Sequence, residues 1–357
     1  QLIRVSLGLE PCLPVSPTDS QWMDLYEIAK KQSLIGVCFA GVQRLQKQYQ
    51  SPPEILYLQW MGMAAKIQQR NQRMNKHCAE LISRLEKEGF KACILKGQGV
   101  GALYAHHLAD LRQPGDIDVL ASGGFEKVFH YAKSISNEAN FGYLNTHLNV
   151  FDDTEVELHW RPCNLPNVFA NNRLQRWIAD NESEIYNSKY VLPGYVTIIT
   201  PSVRFNRIFI LLHAYKHMFD EGLGMRHLMD LYFVYMAELP SVPDRKEFKE
   251  LTKDFGVAKF TRAIMWILNE VFRMPSSYIM IEPDEKYGRI ILDKVIAGGN
   301  FGHYESAVKK LSRNIHIQAL LTRVQHNWDM LMAFPSEFLW SPLWLAYHFF
   351  WKRFIKK

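Results

Sequence analysis

Apolar residues recur at helical spacing through the first part of the chain. Trp22, Leu25, Ile28 and Ala29 mark one stripe, residues 35–45 continue the pattern, and Pro52-Pro53 interrupts it. A long segment follows, 54–88, rich in Gln, Lys, Arg and Met, whose many polar positions predict a long helix with one packed stripe. Gly89 stands where a helix C-cap is expected.

The texture then changes. Residues 91–96 form a short β-like run closed by Gly97, 102–108 read as a helix, and Arg112-Gln113-Pro114-Gly115 as a turn. The run 116–121 predicts a strand, Gly123-Gly124 ends it, and 125–134 predict a helix. Residues 149–151 and 155–160 read as two strands joined by the turn Asp152-Asp153-Thr154. From Pro201, a suitable helix start, helical spacing returns over 203–219, 225–238, 245–255 and 259–272. The expected organisation is an N-terminal helical region (1–87), an α/β core (88–200) and a C-terminal helical domain (201–357).

Composition narrows the class. With 48% hydrophobic and 22% charged residues, the chain has the material for a packed core and is not a disordered sequence. A net charge of +6 suits an anionic ligand without requiring one. The five cysteines, Cys12, Cys38, Cys78, Cys93 and Cys163, include no C-x-x-C pair, and an odd count closes no disulfide framework. Residues 1–17 lack a basic segment followed by an apolar core, and no run of eighteen apolar residues occurs. The expectation is a cytoplasmic protein with reduced thiols and no transmembrane segment.

The candidate chemistry sits in Lys96-Gly97-Gln98-Gly99 and in Gly115-Asp116-Ile117-Asp118-Val119. On a strand, residues i and i+2 share a face, so Asp116 and Asp118 project side by side while Ile117 and Val119 face the core. Two such carboxylates repel unless a cation lies between them, and hard oxygen donors suit Mg²⁺. A further acid comes from Glu155-Val156-Glu157-Leu158-His159, in which Glu155, Glu157 and His159 share one face. Two carboxylates on one strand and a third on a neighbour make a site for two-metal phosphoryl transfer. Glu157 is the expected third acid, with Glu155 as its rival.

In this order of strand, glycine turn, helix, D-x-D strand and later acidic strand, the chain resembles the DNA polymerase beta-like nucleotidyltransferases. More narrowly, L-K-G, R-x-x-G-D-I-D-V-L and V-E-L-H-W resemble a bacterial family of uncharacterised nucleotidyltransferases. Leu211-Leu212-His213, His217 and Met225-Arg226-His227-Leu228-Met229-Asp230 extend the likeness over roughly 20–350. The resemblance implies an α+β fold, a polymerase-beta-like core with a mixed sheet and flanking helices, set between helical regions. It implies Asp116, Asp118 and Glu157 as ligands of two Mg²⁺ ions, with Mn²⁺ as the alternative ion. It implies an NTP substrate, a triphosphate approached by the Gly97 turn, and an acceptor that is a small molecule, an RNA or a protein. The polymerase-beta-like superfamily often carries Gly-Ser or Gly-Gly where this chain has Gly97-Gln98.

Each remaining candidate carries an ordinary reading beside the functional one. Lys96 either meets phosphate or lies along a strand end. Gln98 offers an amide to phosphate. Arg112 either clamps a phosphate or pairs with Asp110. His159 lines the site or fills space beside Trp160. His213 and His217 have the i, i+4 spacing of metal pairs, yet no third ligand is evident. Lys216, His217 and Arg226 are expected on the acceptor wall, although Arg226 and Asp230 also form an ordinary i, i+4 ion pair. Gly97-x-Gly99-x-Gly101 echoes a dinucleotide fingerprint, but its third glycine is displaced by one position and no βαβ array follows. The aromatic and basic tail (334–357) suits a docked helix, or a helix lying on a membrane. The alternative to an enzyme is a catalytically silent module of the same fold that binds a nucleotide or a partner.

Overall fold

The structure is a computed structural model and describes residues 1–135, 141–220, 222–299, 328–336, 339–340, 343–344, 347, 351 and 353. The architecture is mixed α+β, with a central mixed sheet flanked by helices. Ahead of the sheet come α1 (Leu2–Ser6), α2 (Asp19–Lys31), α3 (Ile35–Gln46) and α4 (Glu54–Lys87). At 34 residues, α4 is about 51 Å long. Its buried stripe serves two cores: Leu56, Trp60, Ala64 and Ile67 belong to one apolar cluster, and Met74, Cys78, Leu81, Ile82 and Leu85 to another.

The sheet has the order β1-β2-β4-β3, from β1 (Ala92–Ile94), β2 (Ile117–Ala121), β3 (Asn145–Leu148) and β4 (Val156–His159). Strands β1 and β2 are antiparallel, β2 and β4 parallel, and β3 and β4 antiparallel. The antiparallel β1–β2 pair excludes a dinucleotide-binding βαβ unit, whose strands run parallel. The period of two is visible in the burial. Ile94, Ile117, Val119, Val156 and Leu158 enter the second cluster, while Cys93, Leu95 and Leu120 enter the first.

Two sequence expectations are corrected here. Residues 102–108 are not one helix; α5 (Gln98–Gly101) begins at the glycine turn itself and α6 (His106–Ala109) follows. Residues 149–151 are not a strand; the partner of β4 is Asn145–Leu148, where buried Thr146 and Leu148 alternate with exposed His147. Phe151, in the following loop, packs edge-on to His77 of α4 at 3.9 Å between ring centroids. After α7 (Gly124–Ile135) and the sheet come elements that the sequence pattern does not predict: α8 (Val168–Asp180), α9 (Glu182–Tyr186) and the hairpin of β5 (Ser188–Leu192) and β6 (Val196–Thr200).

The later helices are α10 (Val203–Asp220), α11 (Met225–Met236), α12 (Val242–Asp254), α13 (Ala258–Phe272) and α14 (Glu285–Gly298). They share the first apolar cluster with α1, α2 and α3: Trp22 and Val37 are buried in it together with Leu211, Phe260 and Leu268. Arg4 Nε donates to Val271 O at 2.9 Å across this junction. The helices at the two ends of the sequence thus form one layer against one face of the sheet. From the tail, Trp344 and Trp351 lie 4.9 and 5.3 Å from the Tyr143 ring. Lys352, Lys356 and Lys357 lie outside the described residues. No helix among the described residues is long and apolar enough to cross a membrane.

Candidate active site

The sheet alternation that buries Ile117 and Val119 in one cluster turns Asp118 to the opposite face, toward the helical layer. On β4 the same rule hides Val156 and Leu158 and directs Glu157 and His159 with Asp118. Asp118 and Glu157 are register partners across the parallel pair. One ligand atom from each of Asp118, Glu157 and His159 lies within 4.8 Å of the other two. Asp116, half-buried just before β2, lines the same cavity of about 420 Å³. The rival acid, Glu155, is exposed and does not line it.

Cations balance the acids. Lys96 Nζ lies 2.7 Å from Asp118 Oδ1. His159 Nε2 is 2.9 Å from the same oxygen and 3.3 Å from Glu157 Oε2. Asn145 Nδ2 donates to Glu157 Oε2. Burial raises Asp116, and the neighbouring charge of Asp118 raises it further. Burial also acts to raise Asp118, but Lys96 and His159 outweigh it and hold that carboxyl well below the usual range. Burial opposes the His159 imidazolium, whereas its bonds to Asp118 and Glu157 favour it, and the net shift is upward. Lys96 follows the same balance: burial lowers it, Asp118 and then Asp116 raise it, and the net shift is upward.

The turn beneath these groups is built on glycine. Gly97 has φ +52° and ψ −110°, a conformation that L side chains rarely adopt. A Cβ at Gly99 would lie 2.5 Å from Ile94 O, so α5 can approach β1 only without one. Gln98 is corrected against the sequence expectation. Its buried Nε2 donates to Asn71 Oδ1 at 3.1 Å and Asn75 Oδ1 at 2.7 Å, both on α4. Two buried asparagines need partners there, so the side chain braces the turn from behind and does not line the cavity.

Arg112 lines the cavity and pairs with Asp230, not with Asp110. Its Nε and Nη2 donate to the two oxygens of Asp230, each at 2.8 Å, and Tyr104 Oη donates to Asp230 Oδ1 at 2.7 Å. Asp230 of α11 is thereby joined to the turn before β2, and this long-range partnership is not visible in the i, i+4 spacing from Arg226. Arg226 Nη1 donates to Gln113 O at 3.1 Å. Burial and the Arg112 charge lower Arg226 to about 10.

Lys216, His217 and Arg226 all line the cavity that holds the acids. Beside them the structure supplies the third ligand that the His213 and His217 spacing lacks. His227 joins His213 and His217, with one ligand nitrogen from each within 4.8 Å of the others. The helical H-x-x-x-H spacing was legible; its partner on the next helix was not. Burial keeps His213 and His227 well below the ordinary imidazole value, so both are neutral near pH 7. The result is a sheet face bearing the acids and, across one cavity, a helical wall bearing Lys216, Arg226 and the three histidines.

A family profile described as "Uncharacterised nucleotidyltransferase" matches residues 18–273. No curated protein matches the chain. The crystal structure of an antigenic nucleotidyltransferase-like protein from Paracoccidioides brasiliensis superposes with a TM-score of 0.37 at 12% identity, covering 60% of this chain and 96% of that one. A likeness that loose carries no argument.

Proposed function

The chain belongs to the uncharacterised nucleotidyltransferase family, within the polymerase-beta-like superfamily, and we propose that it is a Mg²⁺-dependent nucleotidyltransferase. It moves a nucleoside monophosphate from an NTP to an acceptor and releases pyrophosphate. One observation carries this reading: Asp118 and Glu157 converge at a cavity that Asp116 also lines and whose helical wall bears Lys216 and Arg226.

The residues fit the ion. The donors are hard carboxylate oxygens, and Asp118 already holds a cationic group at 2.7 Å in the form of Lys96 Nζ. Asp116, Asp118 and Glu157 would hold Mg²⁺, which supplies charge neutralisation at the phosphoryl oxygens and acidifies the attacking hydroxyl. The chain's own groups do the rest. The Gly97 turn brings backbone close to the cavity, where a triphosphate can lie against it. Lys96 neutralises whatever negative charge exceeds that of the ion. Glu157 accepts the acceptor's hydroxyl proton, its carboxylate oriented by Asn145 and His159. Lys216, His217 and Arg226 face the acceptor, which is a small molecule, an RNA or a protein. Five free cysteines suit a reducing cytoplasmic setting.

The test is calorimetric titration with a non-hydrolysable NTP analogue, with and without Mg²⁺, on the protein and on Asp118→Asn. Binding that needs Mg²⁺ and is lost in the variant supports the reading. Equal binding in all four combinations sinks it. The Lys96–Asp118 pair favours one second reading, in which the lysine permanently replaces the ion and the protein is a catalytically silent binding module. That module would bind the analogue without Mg²⁺ and label nothing when incubated with labelled NTPs and cell extract.

A further inference from the structure

The histidines of the helical wall have the arrangement of a metal site. His213 and His217 stand one turn apart on α10, and His227 lies in the first turn of α11. His213 Nε2 and His217 Nε2 are 3.0 Å apart. The ring centroids are separated by 4.3 Å (His213–His217), 4.6 Å (His217–His227) and 6.1 Å (His213–His227). Tetrahedral Zn²⁺ with bonds of about 2.0–2.1 Å places its ligand nitrogens roughly 3.3 Å apart. The first pair already approaches that spacing. The third nitrogen lies within 4.8 Å of both, so rotation of one imidazole closes the difference.

We propose that His213, His217 and His227 form a second metal site, specific for a zinc-class divalent ion and separate from the carboxylate site. Imidazole nitrogen is a borderline donor that suits Zn²⁺, whereas Mg²⁺ demands oxygen. The two clusters would therefore sort ions by hardness within one cavity. Three protein ligands leave the fourth position open to that cavity, as in zinc sites that bind a substrate oxygen.

Binding has a local consequence. The Gly224 amide donates to His227 Nδ1 at 3.1 Å, which leaves the ring proton on Nε2. For Nε2 to bind the ion, that proton moves to Nδ1 and the Gly224 amide gives up its acceptor. Metal loading also breaks the hydrogen bond between His213 Nε2 and His217 Nε2, whose proton moves to the Nδ1 of the same ring, so three metal–nitrogen bonds replace that bond and the N-terminal cap of α11.

The test uses the full chain, stripped with a chelator and titrated with ZnCl₂ alone by calorimetry. One Zn²⁺ per chain is expected. His213→Ala and His217→Ala should each weaken it by more than about 100-fold, beyond the 10–100-fold typical of outer-shell changes. Glu157→Gln should leave zinc binding within about threefold. In ¹⁵N-glycine-labelled protein, zinc should shift the Gly224 amide. Loss of zinc in Glu157→Gln with retention in His213→Ala would assign the ion to the carboxylate cluster and overturn the proposal. Should the alanine variants fold poorly, His227→Cys loaded with Co²⁺ decides the matter. A thiolate-to-cobalt charge-transfer band is expected, and its absence in a folded variant overturns the site.

Discussion

Lys96 Nζ and Asp118 Oδ1 form a 2.7 Å ion pair at the base of the cavity, with the acid only 3% exposed. The ammonium supports the carboxylate against the cost of burial. Asp118→Asn removes the partner and leaves that ammonium facing Asp116 and Glu157 alone. In metal-free protein the variant should lose about 3 kcal/mol of stability, the lower end for a broken buried pair. Urea unfolding in EDTA measures it. The same variant should lower nucleotidyl transfer by on the order of 10²–10³-fold, as expected when one preorganised electrostatic element is lost. Unchanged stability would mean that the pair is not formed in solution.

A pH dependence follows from His159 and Asp118. His159 is raised, so its stabilisation is complete below the ordinary value of about 6.5 and is lost as pH rises through the raised one. Asp118 is depressed, so its contribution is complete above the ordinary value of about 3.9 and is lost as pH falls through the lowered one. With Mg²⁺ removed, stability from this pair should be level between those limits and fall on the alkaline side. Melting curves from pH 5 to 9 in EDTA report it. An unaltered alkaline slope in His159→Gln would exclude this histidine as the source.

The buried Arg112–Asp230 pair joins the turn before β2 to α11. Arg112→Ala leaves an acid buried without its guanidinium and should destabilise by about 3–5 kcal/mol. Arg112→Met with Asp230→Leu removes both charges and should recover much of that loss. A double-mutant cycle by chemical denaturation gives the coupling; strict additivity would show that the pair contributes nothing of its own.

Gln98 offers a contrast between bracing and phosphate contact. Gln98→Ala removes the donor to Asn71 and Asn75 and should cost about 1–3 kcal/mol, the penalty for buried polar groups left unpaired. Nucleotide affinity, measured well below the melting temperature, should change little. A large fall in affinity with unchanged stability would return Gln98 to the cavity.

The elements built on local rules were legible in the chain itself. The α2, α3 and α4 helices follow from apolar spacing, Gly89 from its capping role, and the strand carrying Asp118 from the alternation of Ile117 and Val119. The convergence of Asp118 with Glu157 follows from the same alternation once β2 and β4 pair. Long-range partners were not legible. Nothing near Arg112 points to Asp230, and nothing near Gln98 points to Asn71 and Asn75, because those contacts depend on how α4 and α11 pack. The β5–β6 hairpin was overlooked although Pro193-Gly194 marks its turn, with Gly194 and Tyr195 at φ +83° and +61°. The strand expected at 149–151 illustrates a different limit. Val150 and Phe151 are apolar because, from the loop after β3, they pack against the second cluster, a role that periodicity over three residues cannot separate from a strand.

Arg226 bears on where the acceptor sits. It is 9% exposed, and burial together with the Arg112 charge lowers it to about 10. A guanidinium so placed gains most from an anion entering the cavity, because that charge would relieve both the burial and the repulsion. The proposal puts the triphosphate between the Gly97 turn and the acids, leaving the helical wall for the acceptor. Arg226→Ala should therefore raise KM for the acceptor by about 10–100-fold, the equivalent of one charge-assisted hydrogen bond of about 1.5–3 kcal/mol. Affinity for the NTP analogue should move by less than about threefold, below 1 kcal/mol. Arg226→Lys keeps the charge without the planar fork and should fall between the two. Calorimetry for the nucleotide and steady-state kinetics for the acceptor separate the effects. Equal losses in both measurements would place Arg226 on the triphosphate and move the acceptor to another wall.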